Sequence, residues 1–219
     1  MKLSELDAVV FDMDGVIFDT ETMALRSWQI VADAHGLGDI TETAMKCVGR
    51  STVDTIKIFE QAYGDKVDMN IVHNECVDTM KHLIETEGIP VKKGARELLE
   101  HLKQNGAKVA LASSTTYDTV VKELEDADLL KYFSVIVGGN MIKHSKPEPE
   151  IYLLACEKLG VEPKNCAAVE DSRNGIISAS RAGMMPFLVP DIIEPDDEMI
   201  SLAYKQFTDL LEVRDHLEV

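Results

Sequence analysis

The chain has 219 residues, 45% hydrophobic and 28% charged, so it carries enough apolar material for a buried core and wholesale disorder is excluded. Its 39 acidic residues against 22 basic ones give a net charge of −17, which repels phosphate backbones and anionic lipid and speaks against nucleic-acid or membrane partners. A small phosphorylated metabolite stays possible, because a local cation reverses the field inside a cleft.

The first apolar run, Ala8-Val9-Val10-Phe11, predicts a strand, buried on both faces because it lacks polar alternation. Residues 20–88 then show helices and no convincing strand. One helix follows Asp19-Thr20 and stops by Gly36. A second starts at Ser51 with Asp54 in the capping-box position and is expected to bury Val53, Ile56, Phe59 and Tyr63. A third carries Val72, Cys76, Met80, Leu83 and Ile84 before Gly88.

Beyond residue 88, strands and helices alternate. Ala95, Leu98, Leu99 and Leu102 form a helical face ending at Asn105-Gly106, followed by a strand at 109–112 and a helix containing Val120, Val121 and Leu124. A strand at 135–137 precedes a helix with Tyr152, Ala155, Cys156 and Leu159 on its apolar face, ending at Gly160. Strands at 167–169 and 187–189 flank a helix with Ile176, Ala179 and Ala182 before Gly183. Each terminal Gly stands where a left-handed cap is wanted. Strand–helix alternation implies right-handed crossovers, hence an α/β fold: a doubly wound parallel-sheet, Rossmann-like core made of residues 1–19 and 89–219, with an all-helical cap inserted at 20–88.

Two exclusions follow from spacing and from the first residues. Cys47, Cys76, Cys156 and Cys166 are too far apart for a zinc knuckle or a CxxC pair and read as small buried hydrophobes kept reduced. No apolar run approaches the roughly 18 residues that span a bilayer. Acidic residues also stand among the first seven, where a secretory leader is basic and then apolar, so a cytoplasmic protein is expected, with a monomer as the default.

In open parallel sheets, ligands bind beyond the carboxyl ends of the strands. Asp12, Asp14 and Gly15 follow the first strand, Ser113-Ser114-Thr115-Thr116 the second, Gly138-Gly139 and then Lys146-Pro147 the third, and Glu170-Asp171-Ser172 the fourth. Four strand ends thus deliver four carboxylates, a hydroxyl cluster and a lysine to one edge. Without a cation such carboxylates repel one another and protonate. An all-oxygen set with few imidazoles points to a hard ion, Mg2+ above zinc. Backbone N–H groups at the helix start after Ser113, with the hydroxyls, suit an anion.

In these residues the chain resembles the haloacid dehalogenase-like hydrolases, in the branch of β-phosphoglucomutases and small sugar phosphatases. Asp12-Met13-Asp14-Gly15-Val16, Ser113, Lys146-Pro147-Glu148-Pro149 and Glu170-Asp171-Ser172 are similar to the family's four motifs, in its order, and the 20–88 insert matches its helical cap. The resemblance implies that Asp12 attacks phosphorus and that Asp14 protonates the leaving oxygen and later activates water. It implies that Ser113 and Ser114 bind phosphate together with Lys146. It also implies that Asp12, the main-chain carbonyl of Asp14, Asp171 and Glu170, directly or through water, hold Mg2+. Gly49 and Arg50, before a cap helix, stand where the family places a substrate-facing loop.

Dehalogenation needs neither Asp14 nor the Glu170-Asp171 pair. The family's mutases carry a cap histidine shortly after the first motif, and Ala24 stands at that position here. The expected activity is therefore hydrolysis of a small phosphomonoester, a sugar phosphate for preference, through an aspartyl-phosphate. A hexose-phosphate mutase is the alternative, and a non-catalytic regulatory binder that keeps the fold comes after it.

Overall fold

The computed structural model describes residues 1–48 and 52–218; Gly49 and Arg50, the expected cap contacts, lie outside the described residues, as does Ser51. Two compact units are present, one made of Met1–Phe18 with Pro90–Val219 and the other of Asp19–Ile89.

The first unit is built on a six-stranded sheet of β1 (Ala8–Phe11), β2 (Lys108–Ser113), β3 (Val135–Gly138), β4 (Cys166–Glu170), β5 (Met185–Leu188) and β6 (Lys205–Gln206), in the order β3-β2-β1-β4-β5-β6. Every pairing is parallel. Strand order reverses direction between β1 and β4, so the chain ends of β1, β2 and β4 converge on the switch point where such sheets take their ligands. The doubly wound parallel sheet is the one the apolar runs predict, and all four residues of β1 and all five of β4 are buried. β6 was not foreseen: two residues, Lys205 and Gln206, are too short and too polar to leave an apolar run.

The second unit is all helical: α1 (Thr20–Ala34), α2 (Thr41–Met45), α3 (Thr52–Tyr63) and α4 (Met69–Glu87). Asp19 caps α1 by accepting from the Thr22 N–H, and Asp68 caps α4 through the Asn70 N–H. Its core gathers Val31, Ile40, Phe59, Met69, Val72 and Cys76, with the Trp28 ring stacked on Phe59 at 4.2 Å. One expectation fails here. Val53 is 61% exposed, so the buried face of α3 begins a turn later than the spacing suggests, with Ile56 and Phe59.

The first unit's helices are α5 (Ala95–Gln104), α6 (Tyr117–Asp126), α7 (Glu150–Leu159), α8 (Arg173–Arg181), α9 (Asp197–Leu202) and α10 (Leu210–His216). The predicted stops at Gly106, Gly160 and Gly183 all have positive φ. No helix among the described residues is long and apolar enough to cross a membrane.

Candidate active site

The site starts where β1 runs out. The Asp12 N–H still donates to the Val169 carbonyl of the neighbouring strand at 3.0 Å. The chain then folds tightly back: the Met13 carbonyl accepts from the N–H groups of Ile17 and Phe18, and Gly15 takes φ +78°. A side chain at Gly15 would be strained by that φ, and its Cβ would lie 2.3 Å from Asp171 Oδ2. The turn therefore rests directly on Asp171, and only glycine permits it.

Lys146 arrives on the loop before α7, across a cis Lys146–Pro147 peptide. Its ammonium has three N–H donors and three acceptors: Asp12 Oδ1 at 2.7 Å, Glu170 Oε1 at 2.6 Å and the Ala112 carbonyl at 3.3 Å. Burial pulls its pKa down, but the Asp12 and Glu170 carboxylates outweigh that and hold the ammonium above the usual lysine range.

Glu170, fully buried at the end of β4, is the anchor of this arrangement. Besides Lys146, its Oε1 accepts from the Tyr152 hydroxyl at 2.6 Å. Its Oε2 accepts from the Ser172 hydroxyl at 3.1 Å and the Ser172 N–H at 3.3 Å. Ser172 in turn caps α8 through the Gly175 N–H at 3.0 Å. These four bonds use the roughly four lone-pair sites of a carboxylate. Glu170 thus holds Lys146 in place. Tyr152 is the residue sequence reasoning missed. It belongs to the apolar face of α7, with its ring 5.1 Å from the Lys146 ammonium, and its hydroxyl reaches a charge at the end of the next strand, 18 residues on.

Asp14 faces the hydroxyls after β2. The Thr115 hydroxyl donates to Asp14 Oδ2 at 3.1 Å, the Ser113 hydroxyl lies 3.5 Å from the same oxygen, and the Thr115 N–H donates to Ser113 Oγ at 3.0 Å. Ser113 is fully buried. Its neighbour Ser114 is exposed, and the second hydroxyl turned towards the carboxylates is that of Thr115. The chain bends at Ser114 and Thr115 as it leaves β2, and Thr115 is held there by its N–H to Ser113 Oγ.

Asp12, Glu170 and Asp171 each offer a carboxylate oxygen within 4.8 Å of the others, forming an acidic cluster able to hold a metal ion. Burial first, then the charges of Glu170 and Asp14, push the Asp12 carboxyl up to about 7 against the pull of Lys146. Burial, Glu170 and Asp12 drive Asp171 well above the carboxylate range. Asp171 Oδ1 is buried with no hydrogen-bond partner. Three carboxylates and one ammonium leave two negative charges, which a divalent ion neutralises, and the all-oxygen donor set suits a hard one.

Comparison with known proteins gives the family. Residues 9–189 match the family model described as haloacid dehalogenase-like hydrolase. The chain is 34% identical over 179 residues to a phosphorylated carbohydrates phosphatase of Thermotoga maritima, covering 82% of each chain. It is 30% identical over 218 residues to a beta-phosphoglucomutase of Bacillus subtilis, covering 92% of this chain and 96% of that one. Its fold superposes with a TM-score of 0.83 on the crystal structure of a hydrolase from Deinococcus radiodurans with bound phosphate and sodium, at 28% identity and covering 97% and 95% of the two chains.

Proposed function

The chain belongs to the haloacid dehalogenase-like hydrolases, and from that premise we propose that it is a Mg2+-dependent phosphomonoesterase acting on a small phosphorylated carbohydrate through an aspartyl-phosphate. One observation carries the reading. Asp12, at the end of β1, is joined to Lys146 at 2.7 Å, while Asp14, two residues on, is held separately by Thr115. A nucleophile and an acid–base group thus stand side by side in different surroundings.

Asp12 attacks phosphorus in line, and the bond to the leaving oxygen breaks as Asp14 gives that oxygen its proton. In the second half Asp14 takes a proton from water, the water oxygen attacks phosphorus, and Asp12 and inorganic phosphate are released. Ser113 donates a hydrogen bond to the transferring group, and Lys146 neutralises its charge. Asp12, Asp171 and the main-chain carbonyl of Asp14 would hold the Mg2+. When bound, the ion keeps Asp12 ionised at neutral pH and polarises the phosphoryl oxygens. Glu170 acts behind this layer by fixing Lys146.

The relatives named above support a carbohydrate phosphate, the first being called a phosphatase of phosphorylated carbohydrates and the second a beta-phosphoglucomutase. Hydrolysis is preferred to mutase action because Ala24 stands at the position of the mutases' histidine. Ala24 lines a cavity of about 170 Å³ in the helical unit, with Leu25, Trp28 and Phe59 and no histidine among its described lining residues.

A panel of phosphomonoesters, assayed for phosphate release with Mg2+ and with chelator, tests the proposal. Hydrolysis by the parent that falls more than a thousandfold in Asp12→Asn and in chelator is the expected result, on the order of the loss of a covalent nucleophile. Silence across the panel with interconversion of hexose phosphates would establish the mutase instead. Release that survives Asp12→Asn would overturn the mechanism.

A further inference from the structure

A second acid stands at the next strand end. The chain leaving β5 stays paired with β4, for Leu188 is in register with Glu170 and the Val189 N–H donates to the Glu170 carbonyl at 2.8 Å. Two residues further on is Asp191, whose side chain is only 9% exposed. Its Oδ1 is ion-paired with the Lys92 ammonium. Lys92 is itself fixed to the turn that carries Asp14 and Gly15, through its N–H to the Ile17 carbonyl at 2.9 Å. The Lys92–Asp191 pair therefore ties the end of β5 to the catalytic turn at the end of β1.

The other oxygen of this carboxylate, Oδ2, is buried and unpartnered, and so is Asp171 Oδ1. These are two of the three buried side-chain polar atoms without a partner among the described residues; the third is His216 Nε2, in an aromatic cluster with Phe187 and Phe207. Buried carboxylate oxygens without donors are costly and rare in native proteins. Two of them on the adjacent, paired strand ends of β4 and β5 call for one shared donor. Lys92 is not that donor: its ammonium meets Asp191 at Oδ1, and no bond from it reaches Oδ2. A hydrated divalent ion on Asp171 would supply both: the ion to Asp171 and a water proton to Asp191.

We propose that Asp191 is a positioning residue of the metal site, accepting through Oδ2 a hydrogen bond from a water carried by the cation, with Lys92 fixing its carboxylate for that bond. The inference rests on the metal-dependent reading above and extends it to two residues outside the four motifs. Outer-shell acids of this kind orient bound water and raise metal affinity, and their loss costs roughly 10–100-fold in affinity.

The test uses Mn2+ as the probe, titrated by electron paramagnetic resonance into chelator-stripped parent, Asp191→Asn and Lys92→Met, alongside thermal melts of the stripped proteins. Both variants break the same largely buried ion pair, so both stripped proteins are expected to melt below the parent. Asp191→Asn is expected in addition to weaken Mn2+ binding by roughly tenfold or more, a difference between the two variants that a merely structural role of the pair would not give. Lys92→Met keeps the acceptor and loses only its orientation, so a smaller weakening of a few fold is expected. In the phosphatase assay, the Mg2+ concentration for half-maximal rate should rise in both variants while KM for the phosphomonoester holds. Should Asp191→Asn fail to fold, Lys92→Met decides alone. Parent and variants binding Mn2+ within twofold of one another would overturn the role of Asp191 and leave the phosphatase reading intact. A parent that binds no Mn2+ would overturn both.

Discussion

Gly175, in the first turn of α8, presses directly against the carboxylate of Glu170: a Cβ there would lie 1.9 Å from Glu170 Cδ and 2.0 Å or less from both oxygens. The helix that Ser172 caps and the acid that anchors Lys146 thus occupy one volume, shared because residue 175 has no side chain. Gly175→Ala must push Glu170 away from Lys146, Tyr152 and Ser172, which strips a buried charge of its partners at a cost of about 3 kcal/mol. For a chain of this size a fall in Tm of roughly 6–12 °C is expected. A thermal melt that matches the parent would show that Glu170 has room to move.

Tyr152→Phe removes one of the four donors to Glu170 while keeping the ring against Lys146. A hydrogen bond to a buried charged group contributes about 1.5–3 kcal/mol, so the urea midpoint should fall with the m-value unchanged. Because the lost group touches no reacting atom in the proposed mechanism, kcat should fall far less than in Asp12→Asn.

Glu123, on α6, has its carboxyl raised to about 7 by burial and by the charge of Asp14. This is a carboxyl whose folded pKa lies above its unfolded value. The folded state therefore binds the proton more tightly, and stability falls as pH rises from about 4.5 to about 7. Glu123→Gln removes that penalty: with metal stripped, the variant should be about 1 kcal/mol more stable than the parent at pH 8 and equal to it at pH 4. Equal stability at both pH values in chemical denaturation would show that Glu123 is solvated.

The raised Asp12 and Asp171 carboxyls also predict how metal binding depends on pH. With Asp12 at about 7 and Asp171 well above the carboxylate range, both are largely protonated in the metal-free protein below neutrality, and a divalent ion must displace those protons. Mg2+ affinity should fall as pH drops below 7, by roughly tenfold per pH unit for each proton displaced. Calorimetry in two buffers of different ionisation enthalpy reads the protons directly, and release of none would mean that the cluster is already ionised.

Much of the fold was legible because burial leaves a periodic trace. Unbroken apolar runs marked β1 to β5, three glycines marked the ends of α5, α7 and α8, and the absence of a strand between residues 20 and 88 marked the helical insert. The candidate site was legible for a related reason: in a parallel sheet the residues after each strand arrive at one edge, so Asp12, Ser113 and Glu170 could be grouped before any contact was known. Periodicity failed where burial was partial, as at Val53, or where the element was short, as at β6.

Sequence alone determined which residue types reach the sheet edge, since the parallel direction of the strands follows from the alternation of apolar runs and helices; the strand order came from the structure. Tertiary structure decided which atoms meet there. Lys146 bridges Asp12 and Glu170 across 134 and 24 residues, Tyr152 turns its hydroxyl out of an apolar face to Glu170, and Thr115 rather than Ser114 reaches Asp14. Lys92 and Asp191, 99 residues apart, carry no motif at all. The physical reason is the range of the forces: hydrophobic burial is non-directional and writes itself along the chain, whereas hydrogen bonds and ion pairs are set by angstroms between residues that only the folded chain brings together.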